Sequence, residues 1–302
     1  MAYLMRCFLF FYLISFSAAS AALDRILILS SGDSKPYIQT LKAYKNLLQQ
    51  KYPAIRQDVY IFSIDELRAI EGKEYRLAIA LGKQSVAVLK QAYPDLPVIA
   101  ALISNREVLA GYKNITGIDL HYTPEQQLEA LAYLLPEYKR YGLLYSPATA
   151  DKAKALQQLA KSYQIELYLQ EVTNPRYLLD AIDKMLSQVD LVWGVADPLL
   201  LTPQTAKVLL LSTYREKIPL IASSPGWARA GALLASDWSY DYIAQLCFQL
   251  TEDILQGKTI DQLPWLNLEQ YYFSANKNTI KWIRLNAESK QKLLDKAVVI
   301  YE

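Results

Sequence analysis

The residues able to break bonds are few, and their spacing does not assemble a catalytic set. His121 is the only histidine, and its neighbours supply no second ligand at a metal-binding spacing, so neither a zinc site nor a nucleophile-base-acid triad can be built around it. Gly82-Lys83 is the closest approach to a phosphate loop. That motif needs a glycine five residues before Gly82, where the chain has Leu77. Neither GxGxxG nor GxSxG occurs, so no cofactor is expected. Acidic residues are spread over helix faces, and nothing singles out a carboxylate pair for glycoside chemistry. The sequence is rich instead in 23 tyrosines and five tryptophans, amphipathic rings favoured in cores, at interfaces and around small ligands alike. The chemistry it favours is noncovalent recognition.

The elements that must position such residues follow from hydrophobic periodicity. From Asp24 the chain alternates short aliphatic runs with amphipathic stretches, the signature of βα units. The first series has expected strands at Arg25 to Ser30, Asp58 to Phe62, Arg76 to Leu81 and Pro97 to Leu102. Helices are expected over Pro36 to Tyr52, Asp65 to Ile70 and Lys83 to Ala92. After Ile115 to Leu120 a second series begins. Thr123, Pro124 and Gln126 there form a capping box with proline at the first helical position. Strands are expected at Tyr141 to Ser146, Ile165 to Gln170, Val189 to Val195 and Ile218 to Ser223, with helices near Asp151 to Tyr163, Arg176 to Leu186 and Pro203 to Glu216. Runs such as LVWGV are apolar on both faces, as strands of a covered parallel sheet are. The helix Tyr240 to Gln256 stops at Gly257. Strand-like Tyr271 to Asn276 and Thr279 to Ile283, then a helix from Ala287 to Lys296, complete the tail.

At the amino end, Arg6 precedes an apolar run from Cys7 to Phe16 and the small residues Ser17 to Ala22, which together predict a cleaved signal peptide and a periplasmic product. The apolar core is shorter than the roughly 20 residues that span a bilayer. Without Arg6 the chain keeps 31 basic against 30 acidic residues, so no broad field draws it to nucleic acid or anionic lipid. Cys247 is then the sole cysteine, which excludes an intramolecular disulfide.

Three passages carry a resemblance. They are ITGIDLHYTPEQQLEALAYLLPEYKRYGLLYSPAT (Ile115 to Thr149), VDLVWGVADPLLLTP (Val189 to Pro203) and IPLIASSPGWARAGALLA (Ile218 to Ala235). In order and spacing the chain resembles the periplasmic substrate-binding proteins of ABC transporters, in the group that includes tryptophan- and tyrosine-uptake proteins. The resemblance is thin before Arg76 and beyond about Pro264. It implies an α/β architecture of two doubly wound parallel-sheet lobes with a ligand cleft, the type I periplasmic binding protein fold. The expected organisation is a signal peptide over 1–22, one lobe over 23–118 plus about 237–264, and the other over 119–236 plus about 265–302.

Ligands of open α/β sheets bind beyond the carboxyl ends of the strands, which selects the candidate loops. The first lobe offers Ser30, Ser31 and Gly32, then Gln84 and Ser85 at a helix start able to receive a carboxylate, or simply to cap the helix. The second offers Tyr145, Ser146, Thr149, Asp197, Ser223, Ser224 and Trp227. Asp197 is read either as an acceptor for a ligand ammonium or as a turn former ahead of Pro198. Relatives often carry an acidic residue where this chain reads Ser224-Pro225. That loss argues against an α-amino acid ligand unless Asp237 replaces the charge, and Asp237 serves equally as a helix cap. Trp227 and Trp238 suit stacking on a planar ligand or core packing. The expected function is capture of a small organic ligand, amino-acid-like or aromatic, and delivery to an ABC permease by a monomer. The alternative is a sensing subunit whose closure is read by a membrane receptor kinase or cyclase.

Overall fold

The computed structural model describes residues 25–61, 70, 72–104 and 106–302. The signal segment expected over 1–22 and nearly all of the short helix expected from Asp65 lie outside the described residues. The chain divides into two compact units. One holds the described residues up to His121 together with Tyr240–Leu268, and the other holds Tyr122–Ser239 with Glu269–Glu302. Each is an α/β unit around one mostly parallel sheet, the architecture that the alternating pattern predicts.

In the first unit the strands are β1 (Arg25–Ser30), β2 (Arg56–Ile61), β3 (Leu77–Leu81), β4 (Val98–Ala101), β5 (Ile115–Asp119) and, late in the chain, Leu266–Asn267, numbered β11 below. Their order is β11-β5-β4-β3-β1-β2, and every pairing is parallel. Helices α1 (Lys35–Lys51) and α2 (Lys83–Ala92) connect the strands. They lie N-terminal in the chain to α3 (Pro124–Leu134), α4 (Ala150–Ser162), α5 (Leu178–Leu186), α6 (Pro203–Glu216) and α7 (Pro225–Ala230) of the second unit. The chain then returns to the first unit as α8 (Tyr240–Leu255). Residues of β3 and β4 are buried throughout, because helices cover both faces of a parallel sheet. Against α1, the buried Tyr44 hydroxyl meets Thr251 Oγ1 of α8 at 2.8 Å, and burial pushes its ionisation far above the usual tyrosine range.

The second sheet runs β13-β12-β10-β9-β8-β6-β7, with β6 (Arg140–Tyr145), β7 (Glu166–Glu171), β8 (Leu191–Trp193), β9 (Leu220–Ala222), β10 (Leu234–Asp237), β12 (Tyr272–Asn276) and β13 (Val299–Tyr301). Only the β10–β12 pairing is antiparallel. Consecutive residues serve opposite faces, as the pleat requires. Leu143 and Trp193 join one apolar cluster, Leu144 and Val192 the other. The Thr123 box forms as spacing predicts: Gln126 N donates to Thr123 Oγ1 at 3.2 Å and Thr123 N to Gln126 Oε1 at 2.9 Å.

The tail departs from expectation. Thr279 to Ile283 is not a strand: Lys277–Trp282 is helix α9, followed by α10 (Ala287–Lys296). Asn276 starts α9 by accepting from Thr279 N at 2.9 Å, the usual work of an asparagine cap. The buried Ile280 and Ile283 then recur at helical spacing within the core.

Candidate functional site

The carboxyl edge of the first sheet is drawn level by its register. Ser30 pairs with Leu81, and Leu81 with Ala101. The ladder continues past the strand ends, Ser31 N donating to Leu81 O and Gly82 N to Ala101 O, both at 2.8 Å. Here Ser31 Oγ lies 3.0 Å from Ser85 Oγ and accepts from Ser85 N at 2.9 Å. Ser30 Oγ donates to Gly32 O at 2.6 Å. Gly82 has φ +92°, and a Cβ there would stand 2.7 Å from Ser31 Oγ and 2.9 Å from the Tyr37 hydroxyl, so only glycine fits the cradle. Gln84 is exposed on the first turn of α2. The structure thus gathers Ser30, Ser31, Gly32 and Ser85, with Gln84 beside them. It adds Tyr37, which sequence reasoning passed over because a tyrosine in the first turn of an amphipathic helix carries no signal of its own. Leu102, just past β4, is a non-glycine residue at φ +58°, a conformation that is uncommon for leucine.

At the edge of the second sheet Asp197 is 5% exposed and accepts from four protein donors. Ser146 N at 2.9 Å and Thr149 Oγ1 at 2.5 Å approach Oδ2. Leu199 N at 2.8 Å and Leu200 N at 3.0 Å approach Oδ1. A carboxylate has about four acceptor positions, and all four face the chain. Burial pushes the Asp197 carboxyl up, but the bonds from Thr149 and the backbone outweigh it and hold the group below its ordinary value. The geometry is that of a turn former that fastens the loop after β6 to the loop after β8. Tyr145, half-buried, ends β6 beside them.

Ser223 and Ser224 follow β9, and both are half-buried. The stretch after them, read as a loop, is the short helix α7, with Ser224 at its cap and Pro225 at its first position. Trp227 lies within α7 and packs partly on the apolar cluster that contains Leu220 and Ala228. Asp237 is buried at the end of β10, where its Oδ1 accepts from Trp238 N at 2.8 Å.

A residue that the sequence did not single out ties together the second unit's ends of the segments that cross between units. The Tyr122 hydroxyl donates to Asp237 O at 2.8 Å and accepts from Tyr272 N at 3.2 Å. These three residues stand beside the three places where the chain passes from one unit to the other. The Tyr122 ring meets Tyr271 edge-on at 4.8 Å. Burial pushes Tyr122 well above the tyrosine range and Tyr271 up to about 12.

Among the described residues no group of three or more His, Cys, Asp or Glu is placed to hold a metal ion, and no helix is long and apolar enough to cross a membrane. The family described as ABC transporter substrate binding protein matches residues 41–298. A tyrosine-binding protein of Clostridioides difficile strain R20291 is 24% identical over 203 residues, 66% of this chain and 57% of that protein. This chain therefore spans little more than half the length of that relative. Among solved structures, the ligand-free, open form of a substrate-binding protein with adhesive properties from Clostridium difficile superposes with a TM-score of 0.71 at 16% identity, covering 92% of this chain and 99% of the other. A Streptococcus pneumonia domain in complex with L-Trp gives 0.53 at 18% identity, covering 91% and 99%.

Proposed function

The chain belongs to the ABC transporter substrate binding protein family, and from that premise we propose that it is an exported solute-binding protein for an aromatic amino acid, which it hands to an ABC permease. Export follows from the residues over 1–22, with cleavage near Ala22. The ligand class is supported by the tyrosine-binding relative and by the L-Trp complex of a similar fold. The observation that carries the reading is the cradle around Gly82. Two serine hydroxyls, a tyrosine hydroxyl and the start of α2 meet there at the carboxyl edge of a parallel sheet, the edge where open α/β sheets take ligands.

In this reading Ser31, Gln84 and the first turn of α2 receive the ligand carboxylate, since helix amino ends favour anions. In the second unit Asp237 supplies the carboxylate that is absent at Ser224-Pro225. Tyr145, Ser223, Ser224 and Trp227 supply ring and hydroxyl contacts. Asp197, Ser146 and Ser30 position the loops. Binding drives a shift toward the ligand-bound conformation, and that conformation is what the permease reads.

The test is calorimetric titration of L-tyrosine and L-tryptophan into the wild type and into Gln84→Ala. Gln84 is exposed, so its loss leaves the fold intact. The expected result is a weakening of about tenfold, the worth of one hydrogen bond to a charged group. An unchanged affinity for a ligand that binds the wild type would remove α2 from the site.

A further inference from the structure

The second unit carries a groove of about 510 Å³ whose lining includes none of the residues assigned above. One wall is the face of α3 that bears Glu129 and Tyr133. The opposite wall is the chain at the start of β12, with Glu269 and Tyr271, and Lys296 at the end of α10 completes the lining. Neither glutamate makes an ion pair or hydrogen bond with another described residue. The Lys296 ammonium faces the Tyr133 ring at 5.2 Å from its centroid and pairs with no carboxylate among the described residues. Tyr271 stacks on Phe273 at 6.4 Å between centroids, giving the floor an aromatic character.

Charge in this groove is sorted by position. Tyr133, which carries Lys296 beside it, lies one turn beyond Glu129 on α3, an axial rise of about 6 Å. Glu129 therefore stands toward one end and the unpaired Lys296 ammonium toward the other, while the chain just after Glu269 is tied through Tyr272 N to the Tyr122 hydroxyl ahead of α3, on the Glu129 side. A zwitterion laid along the groove complements both ends. In an α-amino acid both charged groups flank one carbon and cannot reach both ends. Two extended residues span about 7 Å, which matches.

We propose that this groove is a second binding site, for a dipeptide with an apolar side chain. The dipeptide's ammonium lies between Glu129 and Glu269, its carboxylate at Lys296, and its side chain against Tyr271 and Phe273. The site does not depend on which ligand the carboxyl-edge loops take.

The test is titration calorimetry of the full chain with glycyl-L-phenylalanine, with and without L-tyrosine, and with L-phenylalanine as the control that carries its charges on one carbon. The expected result is saturable binding that survives added tyrosine and exceeds that of phenylalanine. It should weaken about tenfold or more in Glu129→Gln/Glu269→Gln and about tenfold in Lys296→Gln, as loss of charge-assisted bonds requires. These side chains are exposed, so unchanged melting curves confirm that the variants fold. Amidation of the dipeptide's carboxyl end should weaken wild-type binding and leave Lys296→Gln indifferent. Absence of saturable binding overturns the proposal. So does binding that the charge variants leave unmoved, or that tyrosine displaces. A failed tyrosine titration beside intact dipeptide binding overturns only the first-site reading.

Discussion

Replacing Asp197 by alanine removes four hydrogen bonds at once, and the structure fixes which donors are stranded. Ser146 N and Thr149 Oγ1 keep one another at 3.3 Å, and Thr149 Oγ1 can still donate to Ser146 O at 3.2 Å. The amides of Leu199 and Leu200 lose the Oδ1 that both use, and Leu200 is fully buried. With about 1–3 kcal/mol for each unsatisfied amide and a further contribution from the lost charge-assisted bonds, the expected destabilisation is about 3–5 kcal/mol. That is a large share of the roughly 5–15 kcal/mol that holds a domain folded. With a urea slope of about 2 kcal/mol per molar for a unit of this size, the midpoint should fall by about 2 M. Asp197→Asn should be milder, since its carbonyl keeps two donors. The pH dependence has a definite sign. The folded carboxyl lies below its unfolded value near 3.9. The stabilisation is therefore complete above that value and is lost as pH falls through the folded one. The gap between wild type and Asp197→Ala should be constant near neutrality and begin to narrow only below about pH 4. If the alanine variant melts with the wild type while its affinity for tyrosine collapses, the carboxylate faces a ligand and the reasoning fails.

Gly82→Ala should destabilise the first unit by more than about 1 kcal/mol, because φ +92° disfavours any Cβ and this one would collide with Ser31 Oγ; equal urea midpoints would contradict it. Tyr122→Phe removes a hydroxyl that holds Asp237 O and Tyr272 N and should cost about 1–3 kcal/mol in a denaturant melt. Cys247 is buried, and its thiol is pushed up to about 12 by desolvation, so iodoacetamide at pH 8 should label it only at the rate of unfolding. Rapid labelling of the native protein would refute its placement.

Much of the architecture was legible because parallel strands covered on both faces are written as unbroken apolar runs, and β1 and α10 fall where periodicity sets them. Caps were legible where they follow a fixed spacing, as at Thr123 and Gln126. The helix at Lys277–Trp282 was misread because TIKWI has high β propensity, and the decision lies in the Asn276 cap and in burial of Ile280 and Ile283, which are tertiary facts. The two-residue strand β11 and the three-residue β13 are too short to show a period. For the candidate site, the sheet-edge rule selects loops but does not give the orientation of side chains within them. Asp197 stood out by its place ahead of Pro198, yet whether its oxygens face the chain or open space depends on Thr149, 48 residues away. Tyr37 and Tyr122 were hidden among 23 tyrosines, since only the structure distinguishes a ring beside Gly82 or a hydroxyl beside Asp237 from the rest.

Native mass spectrometry of the purified protein, followed by displacement with L-tyrosine and L-tryptophan, tests the central claim most directly. The expected result is a mass increment of one aromatic amino acid per chain, released on unfolding and restored by titration at about micromolar concentration, about −8 kcal/mol. A folded protein that arrives without such an increment, and takes up neither amino acid when each is added in excess, would contradict it.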